Sequence, residues 1–271
     1  MINSTADLQK IAKEVRKDII RMIYSAGSGH TAGSLSVVEI ITALYFDIMN
    51  HDPKTPNWNE RDRFILSCGH VCPAQYAVLA HAGYFPETEL KTHRKLGSRL
   101  QGHPVRNALP GVETSSGPLG CGLAQACGVA LGARLDDARF RIFCLTSDGE
   151  HDSGNHWEAV MFAAKYKLSN LTLLVDRNRI QIDGSTEKVM PLDSLADKYR
   201  AFNWKVVEID GHSFDEIRNA VKEARSEYQK PTVIIAETVA GKGVSFMEND
   251  YTWHGRVPTK EQAEQALKEL R

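Results

Sequence analysis

An aspartate and an asparagine follow two successive apolar segments of the chain at a spacing suited to metal binding. Asp148 comes directly after RIFCLTS, and Asn178 comes shortly after LTLLV, 178 − 148 = 30 residues further on. A strand–helix–strand crossover has about this length, so both side chains are expected at the same edge of neighbouring strands. Their oxygens, with the backbone carbonyl of Ile180, form an incomplete ligand set for Mg²⁺, with Ca²⁺ or Mn²⁺ as substitutes. The open positions of such a site suit the oxygens of a diphosphate cofactor.

Each of these residues also has a simpler interpretation. An aspartate after a strand can cap the next helix, and an asparagine can be an ordinary turn residue. Taken singly, those uses are the more common ones. Together, on adjacent strand ends at crossover spacing, the two residues favour the metal–diphosphate site, and Gly149 permits a tight turn there.

The elements that would position this site alternate between apolar and amphipathic segments. The apolar segments predict strands at residues 63–66, 139–146, 171–175, 205–209 and 232–237. The last four lack polar alternation, as strands buried on both faces do. Amphipathic patterns predict helices at residues 1–23, 35–48, 118–135, 156–166, 192–202 and 214–228, with one more after residue 258. This order predicts an α/β fold, a doubly wound parallel sheet with helices on both faces, in a single domain over residues 1–271.

The composition is that of an ordinary soluble protein and indicates no strongly charged partner. Lys and Arg total 33 against 34 for Asp and Glu, which gives a formal net charge of −1. Nucleic acid or an anionic membrane is therefore not an expected partner. No stretch approaches the ~20 apolar residues of a membrane span, and the N-terminal segment lacks the apolar core of a signal peptide. A cytoplasmic location is expected.

Several segments resemble known enzymes. SDGEHDSGNHWEA followed by DRNRIQIDG is similar to the thiamine-diphosphate motif, which opens with Gly-Asp-Gly and closes with an asparagine. Five further segments resemble transketolases in chain order: SAGSGHTAGSLS at 25–36, SCGHVCPAQY at 67–76, QGHPV at 101–105, SSGPLGCGLAQACG at 115–128 and WHG at 253–255. The ordered set covers nearly the whole chain and is specific where no single segment is. The resemblance implies the diphosphate-binding domain of the thiamine-diphosphate-binding fold, with thiamine diphosphate and Mg²⁺ as cofactors.

The resemblance also implies roles for four histidines. His30, His70, His103 and His254 match the histidines that line the transketolase channel, and we expect them to be catalytic. Imidazoles suit a reaction that moves protons on and off sugar oxygens. His103 is expected to contact the hydroxyls of the transferred two-carbon unit.

A histidine beside a glycine can instead satisfy loop carbonyls, so the bland alternative stays open for each of the four. The other histidines have no motif match and are interpreted as surface or packing residues: His51, His81, His93, His151, His156 and His212.

The predicted cofactor-binding set combines residues of the predicted metal–diphosphate site with residues carried over from the resemblance. It comprises His30, His70, Gly117, Leu119, Asp148, Gly149, Glu150, Asn178, Ile180 and His254, of which Asp148, Asn178 and Ile180 are the predicted metal ligands. Gly117 and Leu119 precede a helix rich in small residues, which suits close approach of a ligand and, equally, packing against the sheet.

The chain departs from the family pattern at two positions. Ser147 stands where the motif opens with glycine, and serine still fits a tight turn. Ser153 stands where transketolases often have a glutamate, in a chain of carboxylates between the two active sites of a dimer, whereas Glu158 matches the next acidic position. The departure puts the coupling between sites in question and leaves the cofactor site intact.

The enzymes resembled usually carry a second, pyrimidine-binding domain and a C-terminal domain on the same chain. This sequence ends at Arg271, shortly after WHG. We therefore expect the N-terminal subunit of a split transketolase, active only with a separate C-terminal subunit in an α₂β₂ heterotetramer. The substrates are expected to be sugar phosphates, with pentose phosphates as the default and a modified or sulfosugar left open.

Three other functions compete with this one. The cofactor-binding subunit of a 2-oxo-acid dehydrogenase or decarboxylase would share the magnesium motif, although the contexts of His70, His103 and His254 favour sugars. A non-catalytic assembly module is supported by Ser147 and Ser153 alone. A nicotinamide-binding domain is disfavoured because no Gly-x-Gly-x-x-Gly follows the first strand.

Overall fold

The structure is a computed structural model that describes residues 4–271. Its helices are α1 (Thr5–Ala26), α2 (Thr31–Ser36), α3 (Val38–Ala43), α4 (Cys72–His81), α5 (Cys121–Leu135), α6 (Gly154–Lys165), α7 (Thr186–Val189), α8 (Leu195–Ala201), α9 (Phe214–Arg225) and α10 (Lys260–Glu269). Its strands are β1 (Arg63–Leu66), β2 (Ile142–Ser147), β3 (Leu171–Arg177), β4 (Ile180–Gln181), β5 (Gly184–Ser185), β6 (Lys205–Asp210) and β7 (Thr232–Glu237).

The first helix shows how local sequence sets the elements. The Ser4 side chain accepts a hydrogen bond from the Asp7 amide and caps the N-terminus of α1. Gly27, with φ 65°, ends the helix in the left-handed conformation that glycine adopts without strain. The predicted helix at residues 1–23 is confirmed from Thr5 onward, and residues 1–3 lie outside the described residues.

Five strands form one parallel sheet in the order β1-β2-β3-β7-β6. Alternate residues of β1 enter two separate apolar clusters, because side chains along a strand point to opposite faces. Phe64 packs with α1–α4, α9 and α10, while Ile65 packs with α5, α6 and α8. Helices therefore cover both faces, and the predicted doubly wound α/β fold is confirmed.

The crossover from β2 to β3 brings the predicted metal loop to one edge. In the parallel register Ser147 pairs with Asp176, so both strands end at the same level. Beyond them, β4 and β5 form a short antiparallel hairpin. Ligands of open parallel sheets bind beyond the carboxyl ends of the strands, so this edge is the place to look for a site.

Two predictions about elements were wrong in detail. Residues 205–209 were expected in a strand buried on both faces, but β6 is the edge strand of the sheet, and only Ile209 within it is buried. The predicted helix 35–48 is broken at Val37 and ends in a π-helical turn, Leu44–Ile48. Apolar patterns report how hydrophobic a segment is, and they do not report which strand has only one neighbour.

Among residues 4–271, no helix combines the length and the apolarity needed to cross a membrane.

Candidate active site

A cleft of about 270 Å³ opens at the carboxyl edge of β2 and β3. Its lining residues come from segments far apart in the sequence: His30, Gly33, His70, His103, Gly117, Leu119, Ser147, Asp148, Gly149, Asp152, Asn178, Ile180, Gln181, Ile182 and His254. Every predicted catalytic or metal-binding residue is in this set. Of the predicted cofactor-binding residues, Glu150 is the exception.

Asp148 lies directly after β2 and is almost fully buried. Its Oδ1 accepts a hydrogen bond from the Gly149 amide at 2.8 Å. Its Oδ2 accepts one from the Arg179 amide at 2.6 Å and one from Arg177 Nη1 at 3.2 Å. Burial raises the pKa of Asp148 to about 7, and repulsion from Asp176 adds to the rise, whereas Arg177 opposes it. The carboxylate is thus both desolvated and fixed in orientation.

Asn178 is held by two contacts at the end of β3. Its Nδ2 donates to Asp176 Oδ2 at 2.8 Å, and its Oδ1 accepts from the Ile180 amide at 3.1 Å. Ser36 Oγ also donates to Asp176 Oδ2, at 2.7 Å. Burial raises the pKa of Asp176, while hydrogen bonds from Thr238, Ser36 and Asn178 oppose the rise. Asp176 therefore acts as a buried acceptor that orients Asn178 in the cleft.

Four histidines line the same cleft as Asp148 and Asn178, and we call them the cleft histidines: His30, His70, His103 and His254. They come from the residue before α2, a 3₁₀ turn before α4, the loop before α5 and a turn before α10. The ring centroid of His30 lies 5.2 Å from that of His70, 6.2 Å from His103 and 5.4 Å from His254. The structure thus brings together all four rings that the sequence nominated.

The cleft histidines are held in their neutral form. Burial lowers the pKa of His30 to about 4, with further lowering by His254, Arg94 and His103. Burial also lowers the pKa of His70, His103 and His254. Arg94, whose guanidinium donates to Ser28 Oγ and to the Gly102 carbonyl at 3.3 Å, disfavours a second positive charge beside His30 and His103. Neutral rings can each donate one proton and accept another.

Within residues 4–271, the rings of the cleft histidines make no hydrogen bond to the protein. Nδ1 of His30 is buried and has no hydrogen-bond partner among the described residues. Buried polar atoms normally have a partner, and a ligand, an ion or a water in the cleft could supply one here. The unfilled hydrogen-bonding capacity of these rings therefore favours a polar ligand in the cleft.

Glu150 occupies a different place from the other predicted residues. It is fully buried behind the cleft, where Oε1 accepts from Ser67 Oγ and from the Gly120 amide at 2.7 Å, and Oε2 accepts from the Ser147 amide at 3.3 Å. These contacts tie the ends of β1 and β2 to the start of α5. The structure supports a scaffold role for Glu150 and gives it no surface on the cleft.

The glycine-rich start of α5 fits tightly against this scaffold. A Cβ atom at Gly122 would lie 2.3 Å from Ser67 Cβ, and one at Gly120, where φ is 83°, would lie 2.2 Å from Asn155 Oδ1. Only glycine allows the backbone this close. The close approach sets the position of Gly117 and Leu119, which line the cleft just before the helix.

Sequence reasoning missed five lining residues: Gly33, Ser147, Asp152, Gln181 and Ile182. Asp152 and Ser147 lie within the predicted metal loop, so their proximity could have been inferred from it. Gln181 and Ile182 reach the cleft through the β4–β5 hairpin, whose two-residue strands leave no apolar pattern to detect. Ile182 is 66% exposed, a large apolar side chain at the rim.

Comparison with known proteins identifies the family. A family model described as "Transketolase, thiamine diphosphate binding domain" matches residues 8–270. The chain belongs to the transketolase family. It is 31% identical to a transketolase structure from Campylobacter jejuni, with a TM-score of 0.93, over 99% of this chain and 43% of that one.

Two classes of transketolase relatives match the chain. One class has a similar length: a 6-deoxy-6-sulfo-D-fructose transketolase subunit from a Clostridium species is 43% identical over 100% of this chain and 98% of its own. An apulose-4-phosphate transketolase subunit from Phocaeicola vulgatus is 41% identical over 98% and 94%. The other class is longer: human transketolase is 39% identical over 97% of this chain but 42% of its own. The chain thus matches whole transketolase subunits and less than half of the longer transketolases.

Proposed function

We propose that this chain is the diphosphate-binding subunit of a split transketolase that transfers a two-carbon ketol unit from a ketose to an aldose. The carrying observation is the convergence of the four cleft histidines on the cleft that also holds Asp148 and Asn178. A metal–diphosphate loop alone would suit several enzyme classes. Four imidazoles in the same cleft, whose ring nitrogens make no hydrogen bond within residues 4–271, favour a substrate with many hydroxyl and carbonyl oxygens.

The described residues fit Mg²⁺ and a diphosphate. The Asp148 carboxylate, the Asn178 amide oxygen and the Ile180 carbonyl are hard oxygen donors of the kind Mg²⁺ prefers, and three donors leave room for diphosphate oxygens. His30, His70 and His254, with Gly117 and Leu119, would complete the cofactor surface. When bound, thiamine diphosphate supplies a carbon nucleophile and an electron sink for cleaving the carbon–carbon bond beside a ketose carbonyl.

Residues of this chain would then transfer protons and hold the substrate by hydrogen bonds. A neutral imidazole can take a proton from a sugar hydroxyl at one ring nitrogen and donate a hydrogen bond to a carbonyl oxygen from the other, and its lowered pKa keeps it uncharged at neutral pH. We expect His103, which lines the same cleft as Asp148 and Asn178, to hold the hydroxyls of the two-carbon unit.

The partner and the substrate are inferred from the relatives. Those of similar length are named as subunits, and the longer transketolases match over less than half of their length. We therefore infer a separate polypeptide that contributes the pyrimidine-binding half, in an α₂β₂ assembly with each active site between subunits. The relatives named for sulfofructose and apulose 4-phosphate make an anionic sugar, either sulfonated or phosphorylated, the first substrates to test.

The experiment is to co-purify the chain with the product of its neighbouring reading frame and assay two-carbon transfer with Mg²⁺ and thiamine diphosphate. Fructose 6-phosphate, 6-deoxy-6-sulfofructose and apulose 4-phosphate serve as donors in parallel, with an aldose phosphate as acceptor. We expect transfer from at least one donor, none when one of the two polypeptides is omitted, and none after chelation of the metal.

Two outcomes would point elsewhere. Decarboxylation of 2-oxo acids without ketol transfer would contradict the transketolase proposal and favour the dehydrogenase-type function. Failure of calorimetry to detect binding of Mg²⁺ and thiamine diphosphate by the assembled pair would favour the non-catalytic module. The variant Asp148→Asn is the matched control, since it keeps the side-chain size and removes the charge that holds the metal.

A further inference from the structure

A buried hydrogen-bonded chain lies directly behind the metal loop, and we call it the His–Tyr–His chain: His151, Tyr199 and His156. The Tyr199 hydroxyl lies 2.8 Å from His151 Nε2 and 2.7 Å from His156 Nε2. On its other side, His151 Nδ1 lies 3.0 Å from both the Ser147 and the Asp148 carbonyl oxygens. All three side chains are at most 2% exposed.

The contacts determine where each proton lies. Two carbonyl oxygens can only accept, so His151 Nδ1 carries a proton and donates it. With its proton on Nδ1, the imidazole presents Nε2 as an acceptor for the Tyr199 hydroxyl at 2.8 Å. A hydroxyl has one proton to give. His156 Nε2 must therefore be protonated and donate to the Tyr199 oxygen.

The His–Tyr–His chain connects three elements to the end of β2. His156 lies on α6, Tyr199 lies on α8, and His151 lies in the 3₁₀ turn Gly149–Asp152 that begins immediately after Asp148. Trp157 Nε1 also donates to the His151 carbonyl at 2.8 Å. The turn is thus held from both its side chain and its backbone, and it cannot rotate without breaking buried hydrogen bonds.

We propose that His151, Tyr199 and His156 are positioning residues that fix the backbone carbonyls of Ser147 and Asp148 and thereby aim the Asp148 carboxylate at the metal. The metal role of Asp148 belongs to the proposed function, and this inference rests on it. The groups that orient a metal ligand typically influence affinity by about 10–100-fold. None of the three side chains lines the cleft, so they act through Asp148 alone.

The first test is nuclear magnetic resonance of the full chain labelled with ¹⁵N-histidine, which needs neither cofactor nor partner. We expect His151 to carry its proton on Nδ1 and His156 to carry its proton on Nε2. Tyr199→Phe should perturb both signals, whereas Tyr166→Phe, which removes an exposed hydroxyl on the same side of the sheet, should perturb neither. The opposite tautomers would overturn the wiring.

The second test measures the Mg²⁺ dissociation constant by calorimetry in the assembled enzyme at saturating thiamine diphosphate. Tyr199→Phe keeps the ring packing, and we expect the constant to rise about 10-fold, with kcat at saturating Mg²⁺ close to that of the unaltered enzyme. His156→Gln retains an N–H donor for Tyr199, so its rise should be about 3-fold or less. Tyr166→Phe is the control.

The outcomes separate the two proposals. A Mg²⁺ constant for Tyr199→Phe equal to that of Tyr166→Phe would overturn the positioning role while leaving the transketolase proposal in place. An unaltered enzyme that binds no Mg²⁺ would overturn the proposed metal site and the positioning role with it. A fall in kcat that excess Mg²⁺ does not restore would also count against positioning through the metal ligand.

Discussion

The cleft histidines and the His–Tyr–His chain show two opposite uses of the same side chain within one molecule. Burial lowers the pKa of histidines in both groups. In the His–Tyr–His chain, both imidazoles make a side-chain hydrogen bond to Tyr199. In the cleft, the rings contact one another at 5.2–5.4 Å around His30 but make no such bond within residues 4–271. A lowered pKa therefore reports burial, whereas unfilled hydrogen-bonding capacity beside a cleft leaves donors and acceptors free to bind a ligand.

The difference also separates two kinds of mutational cost. Removing a ring that only a ligand contacts should cost activity and little stability. Removing a ring whose nitrogens are bonded inside the protein should cost stability, because its partners are left buried and unpaired.

His103→Asn tests the cleft side with the largest expected effect. The asparagine removes the proton-transferring ring while keeping a polar group, so kcat/KM for ketol transfer should fall about 10²–10⁴-fold. Because no protein hydrogen bond of His103 is lost, the unfolding midpoint should stay within about 2 °C. Activity assays and thermal unfolding of the same preparation check both. Activity within tenfold of the unaltered enzyme would contradict the assigned role.

His151→Leu tests the buried side. The leucine leaves the Tyr199 hydroxyl proton without its acceptor and removes the imidazole donor to the Ser147 and Asp148 carbonyls, although the backbone amide of residue 151 still donates to the Asp148 carbonyl. The free energy of unfolding should therefore drop by about 2–4 kcal/mol. Urea denaturation of the isolated chain measures the loss. A change below about 0.5 kcal/mol, the scale of an ordinary surface substitution, would show that the hydrogen bonds of the His–Tyr–His chain contribute nothing to the stability of the fold.

His93→Phe tests whether burial alone produces a low pKa. His93 lies outside both groups and is 1% exposed, and in the described part of the chain neither of its ring nitrogens makes a hydrogen bond. Burial, and then Arg94, lowers its pKa from 6.5 to about 4. Protons then bind the unfolded state first, so the stability it contributes is present above pH 6.5 and is lost as pH falls toward 4.

The phenylalanine variant should therefore gain about 2 kcal/mol relative to the unaltered chain on going from pH 8 to pH 5. Denaturation curves at the two pH values give this difference directly. Equal gains at both pH values would show that His93 does not titrate in this window.

His81→Gln should have the smallest effect and serves as the surface control for the other histidine variants. His81 Nε2 pairs with Asp18 Oδ2 at 2.9 Å, and the hydrogen bond to Asp18 raises the pKa of His81. Its contribution is fully present below pH 6.5 and is lost as pH rises through the raised pKa. A loss of less than about 1 kcal/mol at pH 6 is expected, with a smaller loss at pH 9, and denaturation at those two pH values measures both.

The sequence predicted the metal loop and the sheet because both depend on short-range patterns. Residues 171–175 were expected as a strand, and the strand formed there as Leu171–Arg177. The thirty-residue crossover then required Asp148 and Asn178 to meet, and they do line one cleft. The cleft histidines could be nominated only through the transketolase resemblance, because nothing in local spacing connects residue 30 to residue 254.

The His–Tyr–His chain could not be predicted from the sequence, and the reason is physical. His151 and His156 were interpreted as surface or packing residues, and burial fits that interpretation. Their hydrogen bonds depend on Tyr199, which lies in α8, beyond β3 in the sequence. The scaffold role of Glu150 was missed for the same reason, since its three hydrogen-bond donors come from the ends of β1 and β2 and the start of α5. Hydrogen-bond partners are set by tertiary packing, which residue types alone do not encode.

The distances along the chain between the members of each group have a consequence for folding. The cleft histidines lie between residues 30 and 254, so their loops close only when almost every strand is in place, and the entropy of closing them opposes early assembly. The His–Tyr–His chain lies between residues 151 and 199, and its contacts span 43 and 48 residues, a far shorter separation than the 254 − 30 = 224 residues between His30 and His254. A partly folded polypeptide could therefore form the contacts behind Asp148 while the cleft histidines are still apart, so the complete cleft would assemble only late in folding.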